Sequence, residues 1–244
     1  MIKFFRRIRQ QLLKENNLSK YLLYAIGEIV LVVIGILIAL QINNWNQENK
    51  ESLVEKQRYQ NILNDLVSDE ANIDKMMVDL IQKQDLHYYL YQISQNNGKP
   101  DSTINVSRIN SALELNLITG KNQLTELEFI KDLQIRREVN AYVKLENAAL
   151  SDAERLEDNI KNKVRRYFQE INAVKIDKIY VPERYDNKSV KDPLDIDIIS
   201  NHFEDSDFKN VLINLKMSTA NTLNTLGALK EKNKILQTIL SDKQ

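Results

Sequence analysis

The chain has 244 residues, with 34 basic and 34 acidic side chains, 43% apolar residues, no cysteine and two histidines. Its neutral balance sets aside a globally basic nucleic-acid binder, and its apolar fraction sets aside a charged disordered tail. The missing thiols exclude disulfide frameworks, thiol catalysis and cysteine-held zinc or iron–sulfur centres. Five glycines and three prolines are far below ordinary usage, which points to long helices rather than sheets and turns.

Residues 1–20 hold Lys3, Arg6, Arg7, Arg9, Lys14 and Lys20 against Glu15 alone. Ile2, Phe5, Ile8 and Leu12 fall at helical spacing, so this basic stretch reads either as an amphipathic helix lying on anionic lipid or as a simple topology signal. Residues 21–42, YLLYAIGEIVLVVIGILIALQI, carry one ionisable side chain, Glu28. As a helix they reach roughly 33 Å, enough to cross a hydrocarbon core of about 30 Å. Tyr21 and Tyr24 at one end and Trp45 beyond the other match the aromatic belts of a membrane span. Residues 21–42 are therefore the expected transmembrane helix, with Arg6, Arg7, Arg9, Tyr21, Tyr24 and Trp45 anchoring it.

Basic residues beside a span stay in the cytoplasm. The expectation is a single-pass protein of the inner (cytoplasmic) membrane, its N-terminus cytoplasmic and residues 43–244 periplasmic. A cleaved signal peptide would have a shorter apolar region and a small-x-small site, and Ala39-Leu40-Gln41-Ile42-Asn43 provides none. Glu28, Val32, Gly35 and Ala39 share one helical face, and Gly35 and Ala39 form a small-xxx-small pair there. A carboxyl group in a bilayer is costly unless neutral or paired. This face is the expected interface to a second copy or to another membrane protein.

From Asn43 to Ser94 neither proline nor glycine occurs, and Tyr59, Leu66, Ile73 and Leu80 repeat every seven residues. Ile62, Leu63, Met76 and Met77 fill the positions between. That predicts a long amphipathic helix. Asp69 and Glu70 interrupt its seam, which favours bundle packing over a pure coiled coil. A loop follows near 95–104. A shorter helix is predicted over 107–119, stopped by Gly120, with a second loop at 119–124. Thr125 and Glu128 read as a capping box, flanked by Leu124 and Phe129 as a hydrophobic staple. The helix they open keeps a seam from Tyr142 through Ala149, Leu156 and Val164 to Val174, with a break near Leu150 suggested by Ser151 and Glu154. Pro182 and Pro193 mark a loop over 177–205, in which Ile179-Tyr180-Val181 reads as a short extended piece. The final helix is predicted from Ser206, striped by Phe208, Leu212, Leu215, Leu226, Leu229, Leu236 and Leu240. The predicted fold class is all-α: one transmembrane helix followed by a long-helix antiparallel bundle.

Chemistry-bearing patterns are sparse. Neither His87 nor His202 has a ligand partner at helical spacing, so both are read as structural or surface residues. The acidic run from Asp192 to Asp207 lacks an EF-hand's spacing and glycine and reads as a solvated loop. No phosphate loop, dinucleotide fingerprint or nucleophile elbow is present. The expectation is a non-enzyme without cofactor or metal and without nucleic-acid partners, working at the lipid bilayer.

The block MIKFFRRIRQ and the run KYLLYAIGEIVLVVIGILIALQINNWN resemble the opening of a large uncharacterised family from Bacteroidota, known only as a domain of unknown function. The likeness is close over residues 1–46 and loose beyond, where DSDFKN (Asp205–Asn210) also fits. It implies a one-pass membrane protein with an all-helical soluble portion, and Glu28, Gly35 and Trp45 as family features, but brings no activity. Two functions remain: a membrane-anchored helical scaffold or interaction module, and an extracytoplasmic ligand-sensing bundle that signals through a partner protein.

Overall fold

A computed structural model describes residues 18–96, 98, 101, 103–123, 125–176 and 193–243. The chain divides into two compact units, Met1–Lys56 and Gln57–Gln244. Among the described residues every regular element is helical: α1 (Leu18–Gln95), a 3-10 turn (Val106–Asn110), α2 (Thr119–Gln123), a second 3-10 turn (Leu127–Phe129), α3 (Leu133–Asn159), a π turn (Ile160–Val164), α4 (Arg165–Glu170), α5 (Ile196–Ser200) and α6 (Ser206–Ser241). Extended backbone is confined to one antiparallel bridge, Val174 with Leu194.

The first unit holds the apolar part of α1. Leu23, Ile29, Val32, Ile36, Leu40 and Ile42 are all exposed, and nothing in the most apolar eighteen-residue stretch is buried. The core helix of a soluble protein would be covered by its neighbours. This helix is uncovered, and it is long and apolar enough to cross a membrane.

The second unit is a bundle of α1, α3 and α6. The seven-residue seam is buried as the spacing predicts: Tyr59, Leu66, Ile73 and Leu80 lie in the core with Ile62, Leu63 and Met76. Ile135, Tyr142, Ala149 and Leu156 face them from α3, and Leu215, Leu226, Leu229 and Leu236 from α6. Pairings between α3 and α6 run in opposite senses: Lys232 with Glu138, Thr225 with Asp152, and Asn159 with Ser218. Helix α6 is antiparallel to α1 as well, since the Asn233 amide reaches the Leu66 carbonyl while Lys230 pairs with Asp74.

With α6 antiparallel to both, α1 and α3 run parallel. The chain between them must travel back along the bundle, and the described residues between 101 and 132 make that return as a strap. Arg108 bonds Asp79 at 3.2 Å, Ile118 bonds Asp69 at 2.7 Å, and Arg58 bonds the Phe129 carbonyl at 3.3 Å. The contacts on α1 thus descend as the strap advances.

The strap corrects two sequence expectations. The helix predicted over 107–119 is a five-residue 3-10 turn followed by irregular backbone, and the expected loop at 119–124 contains α2. The reason is hydrogen bonding: Leu113, Ile118, Thr119 and Gly120 donate their amides to Glu157, Asp69 and Glu146 of the neighbouring helices. Side-chain acceptors replace the i−4 carbonyls that a helix would supply.

The Thr125–Glu128 capping box does not open α3. Those residues lead into the 3-10 turn Leu127–Phe129, and Asp132 is the N-cap, accepting from Gln134 at 2.9 Å and Ile135 at 3.2 Å. Phe129 lies under the Arg58 guanidinium, 5.2 Å from its ring centre. Leu124, its expected staple partner, lies outside the described residues.

Helix α3 shows no break at Leu150. Its regularity changes at the π turn, where the Arg165 amide bonds the Ile160 carbonyl. The next helix, α4, closes on Asn172 at φ 57°, with the Ala173 amide returning to the Phe168 carbonyl at 2.9 Å. That is a Schellman stop with asparagine in the left-handed position. Pro182 and the Ile179-Tyr180-Val181 piece lie outside the described residues. Helix α6 starts at Ser206 as predicted.

Candidate functional site

The membrane-helix face comes first. Val32, Gly35 and Ala39 are exposed, Glu28 is partly covered, and Trp45 is exposed. A Cβ built on Gly35 meets nothing within 4 Å, so no packing inside the chain requires that glycine. Glu28 already has an interaction within the chain. Arg6, Arg7 and Arg9 lie outside the described residues, as do the side chains of Tyr21 and Tyr24.

The bundle brings together groups that the apolar stripes did not announce. In its middle, four polar side chains are almost fully buried at one level: Asp69 from α1, Tyr142 and Glu146 from α3, and Asn233 from α6. The Tyr142 hydroxyl donates to Asp69 Oδ2 at 3.0 Å. Asn233 Nδ2 donates to the Leu66 carbonyl at 2.9 Å and to the Tyr142 oxygen at 3.2 Å. Asp69 also accepts the amides of Ile118 and Thr119, and Glu146 Oε2 accepts that of Gly120 at 2.7 Å. Two buried carboxyl groups thus grip the strap at the start of α2. Burial, then the nearby Asp69 charge, lift the Glu146 carboxyl to about pH 7. Burial, then Asp69, also push the Tyr142 phenol up.

Gly120 belongs to this arrangement for a steric reason. A Cβ there would stand 2.8 Å from Glu146 Oε2 and 3.1 Å from its carboxyl carbon. The sequence marked Gly120 as a helix stop; the structure uses it to bring backbone against a buried carboxylate.

About four turns further along α1 from Asp69, Lys83 is buried. Its ammonium donates to the carbonyls of Arg108 and Ser111, each at 3.0 Å, and to Ser111 Oγ. Burial pulls its pKa down, against the raising effect of Asp79. Arg165, delivered by the π turn, donates from Nε and Nη2 to the Asn110 carbonyl at 3.0 and 2.9 Å. These cations fasten the upper part of the strap as the carboxylates fasten the lower part.

One turn beyond Lys83 comes His87, 4% exposed and without a hydrogen-bond partner on either ring nitrogen. Burial, then the Lys83 charge, hold its pKa down at about 4, so the imidazole is neutral at pH 7. His87 lines a groove of about 530 Å³ between α1 and the start of α6. His202, by contrast, lies by the α6 N-terminus, with Nδ1 2.7 Å from Asp205 Oδ2. Among the described residues no three histidine or carboxylate side chains are placed to hold a metal ion.

Fold and site together define an all-helical protein with one uncovered apolar helix and a bundle strapped by buried charges. Residues 28–110 match the model of a family of unknown function (DUF6090). The matched stretch contains Glu28, Gly35, Trp45, Asp69, Lys83 and His87. Comparisons with curated proteins and with solved structures gave no match.

Proposed function

We propose that this chain is a membrane-anchored helical interaction module rather than an enzyme. Residues 21–42 cross the inner (cytoplasmic) membrane once as an uncleaved anchor, with the basic N-terminus in the cytoplasm and the bundle in the periplasm. The observation that carries the reading is the contrast along α1. Its apolar stretch has no cover from the chain, whereas from Tyr59 onward the same helix is buried in a core that α3 and α6 complete. The charge distribution supports the orientation, residues 1–20 holding six basic side chains against one acidic. A non-catalytic role agrees with how the bundle uses its buried ionisable groups: Asp69, Lys83 and Glu146 are all bonded to strap backbone.

In the membrane the helix associates through Glu28, Val32, Gly35 and Ala39, with a second copy of the chain as partner. Open space over Gly35 supports close helix contact on that face. Crosslinking in native membranes tests this: Gly35→Leu combined with Glu28→Leu is expected to lower the dimer yield several-fold, and an unchanged yield refutes the interface. Topology is read separately. The chain has no cysteine, so Asp242→Cys should react with an impermeant maleimide in intact spheroplasts, and Lys14→Cys only after lysis. The second reading, a ligand-sensing bundle, is favoured by one observation, the groove at His87.

A further inference from the structure

The strap is fastened in two different ways along its length. Its upper part is held by cations on carbonyls, Lys83 on Arg108 and Ser111, and Arg165 on Asn110. Its lower end is held in the same manner, Arg58 on the Phe129 carbonyl and Arg136 on that of Ile130. Between these stretches, among the described residues, the bonds from 118–123 to the helices all end on carboxylates. Asp69 accepts the amides of Ile118 and Thr119, and Glu146 accepts that of Gly120. Asp65 accepts the side-chain amides of Asn122 and Gln123. None of the three carboxylates forms an ion pair with a described residue. Two of them are out of water: Asp69 is fully buried and Glu146 is 2% exposed. Two buried negative charges without a cation are costly, and one proton between them removes much of that cost. Asp69 has three donors on its oxygens, counting the Tyr142 hydroxyl, and Glu146 has one. The proton therefore belongs on Glu146.

We propose that Glu146 is a proton-operated latch on the strap. While it holds a proton, residues 118–123 stay seated on the bundle. When that proton leaves to solvent, this segment loosens, and the cation-held stretches on either side stay fastened. The groups that face Glu146 favour this. From α1 come Asp65 and Asp69, both acidic, and from α3 the Tyr142 phenol. At that level α6 presents the uncharged Asn233, and Lys121 on α2 is exposed. Burial, then the Asp69 charge, raise the Glu146 carboxyl from 4.5 to about 7. A loosened strap admits water and returns the group to the ordinary carboxylate range. The seated form is therefore fully favoured at low pH and loses ground as pH rises through 7, by about tenfold between pH 6 and 8. The device lies wholly within the bundle unit and does not depend on the membrane interface proposed above.

Hydrogen exchange of the full-length protein in lipid nanodiscs tests this, at pH 6 and 8 with the intrinsic rates divided out. The amides of Ile118, Thr119 and Gly120 are expected to open about tenfold more often at pH 8. About 1 M urea should barely quicken that opening, because a local event exposes little surface. Glu146→Gln should leave the three amides equally protected at both values. A second readout uses the unaltered chain, whose five glycines are labelled with 15N. The Gly120 signal should move with a midpoint near pH 7 while that of Gly227 stays fixed. Four results would each overturn the latch: equal protection at the two pH values, a tenfold rise retained in Glu146→Gln, exchange only by the urea-sensitive route of α3, or a stationary Gly120 signal.

Discussion

Glu146 and Gly120 form a buried carboxylate–amide contact at 2.7 Å, and both can be tested by single substitutions. A carboxyl group whose pKa rises from 4.5 to about 7 on folding binds its proton more tightly in the folded state. Its contribution is therefore fully present below pH 4.5 and is lost as the pH climbs to 7. Glu146→Gln keeps an acceptor for the Gly120 amide and removes the titration. The variant should match the wild type near pH 4.5 and exceed it at pH 8 by about 3 kcal/mol, as read by urea unfolding of the bundle at the two values. Gly120→Ala should cost about 1–2 kcal/mol, because the new methyl displaces the carboxylate from the amide it accepts. His87 works in the opposite direction: held neutral, it supports the fold above its unfolded value of 6.5 and withdraws that support as pH falls toward 4.

At the scale of the element, the strap shows how far the sequence could be read. Apolar seams reveal helices that bury one face, and α1, α3 and α6 were all legible in that way. Polar residues on those seams were the missing signal. Ile62, Asp69, Met76, Lys83 and Leu90 recur every seven residues and are all buried; Tyr59, Leu66, Ile73 and Leu80 are followed, seven residues on, by His87. A charge on a core seam implies something polar packed against it, here the unpaired backbone of the strap. The strap itself was illegible locally, because its amides find acceptors on residues 44 to 50 positions away in sequence. Lys83→Met should remove the ammonium that the Arg108 and Ser111 carbonyls share, leaving the Arg108 carbonyl to Ser111 alone, and lower stability by about 2–3 kcal/mol. Hydrogen exchange should then quicken along residues 104–118 while the α3–α6 pair stays protected.

For the whole molecule, the two units should separate in their solvent preference. The apolar stretch has no cover in the chain and the bundle has a closed core. Full-length protein should therefore stay with membranes through alkaline carbonate washing, and residues 57–244 produced alone should remain in the aqueous fraction as a helical monomer. Recovery of the full chain in the wash would remove the membrane assignment, and with it the proposed interface at Gly35. The family match, residues 28–110, reaches into both units and covers most of the apolar stretch together with the first bundle helix. The uncovered apolar helix was legible from composition, because length and polarity are what mark a stretch able to cross a membrane. The groove was not, because it needs α1 and α6 side by side.

The bond from Asn233 to the Leu66 carbonyl joins residues 167 positions apart. A ribosome making roughly 5–20 residues per second needs on the order of ten to thirty seconds to supply the second partner after the first. Throughout that interval the apolar edge around Leu66 and Ile73 has emerged and its final covering has not. Biosynthesis of this chain therefore leaves an apolar edge open to mispairing for that interval, and cells short of holding factors should accumulate it as aggregate in preference to proteins whose contacts are local.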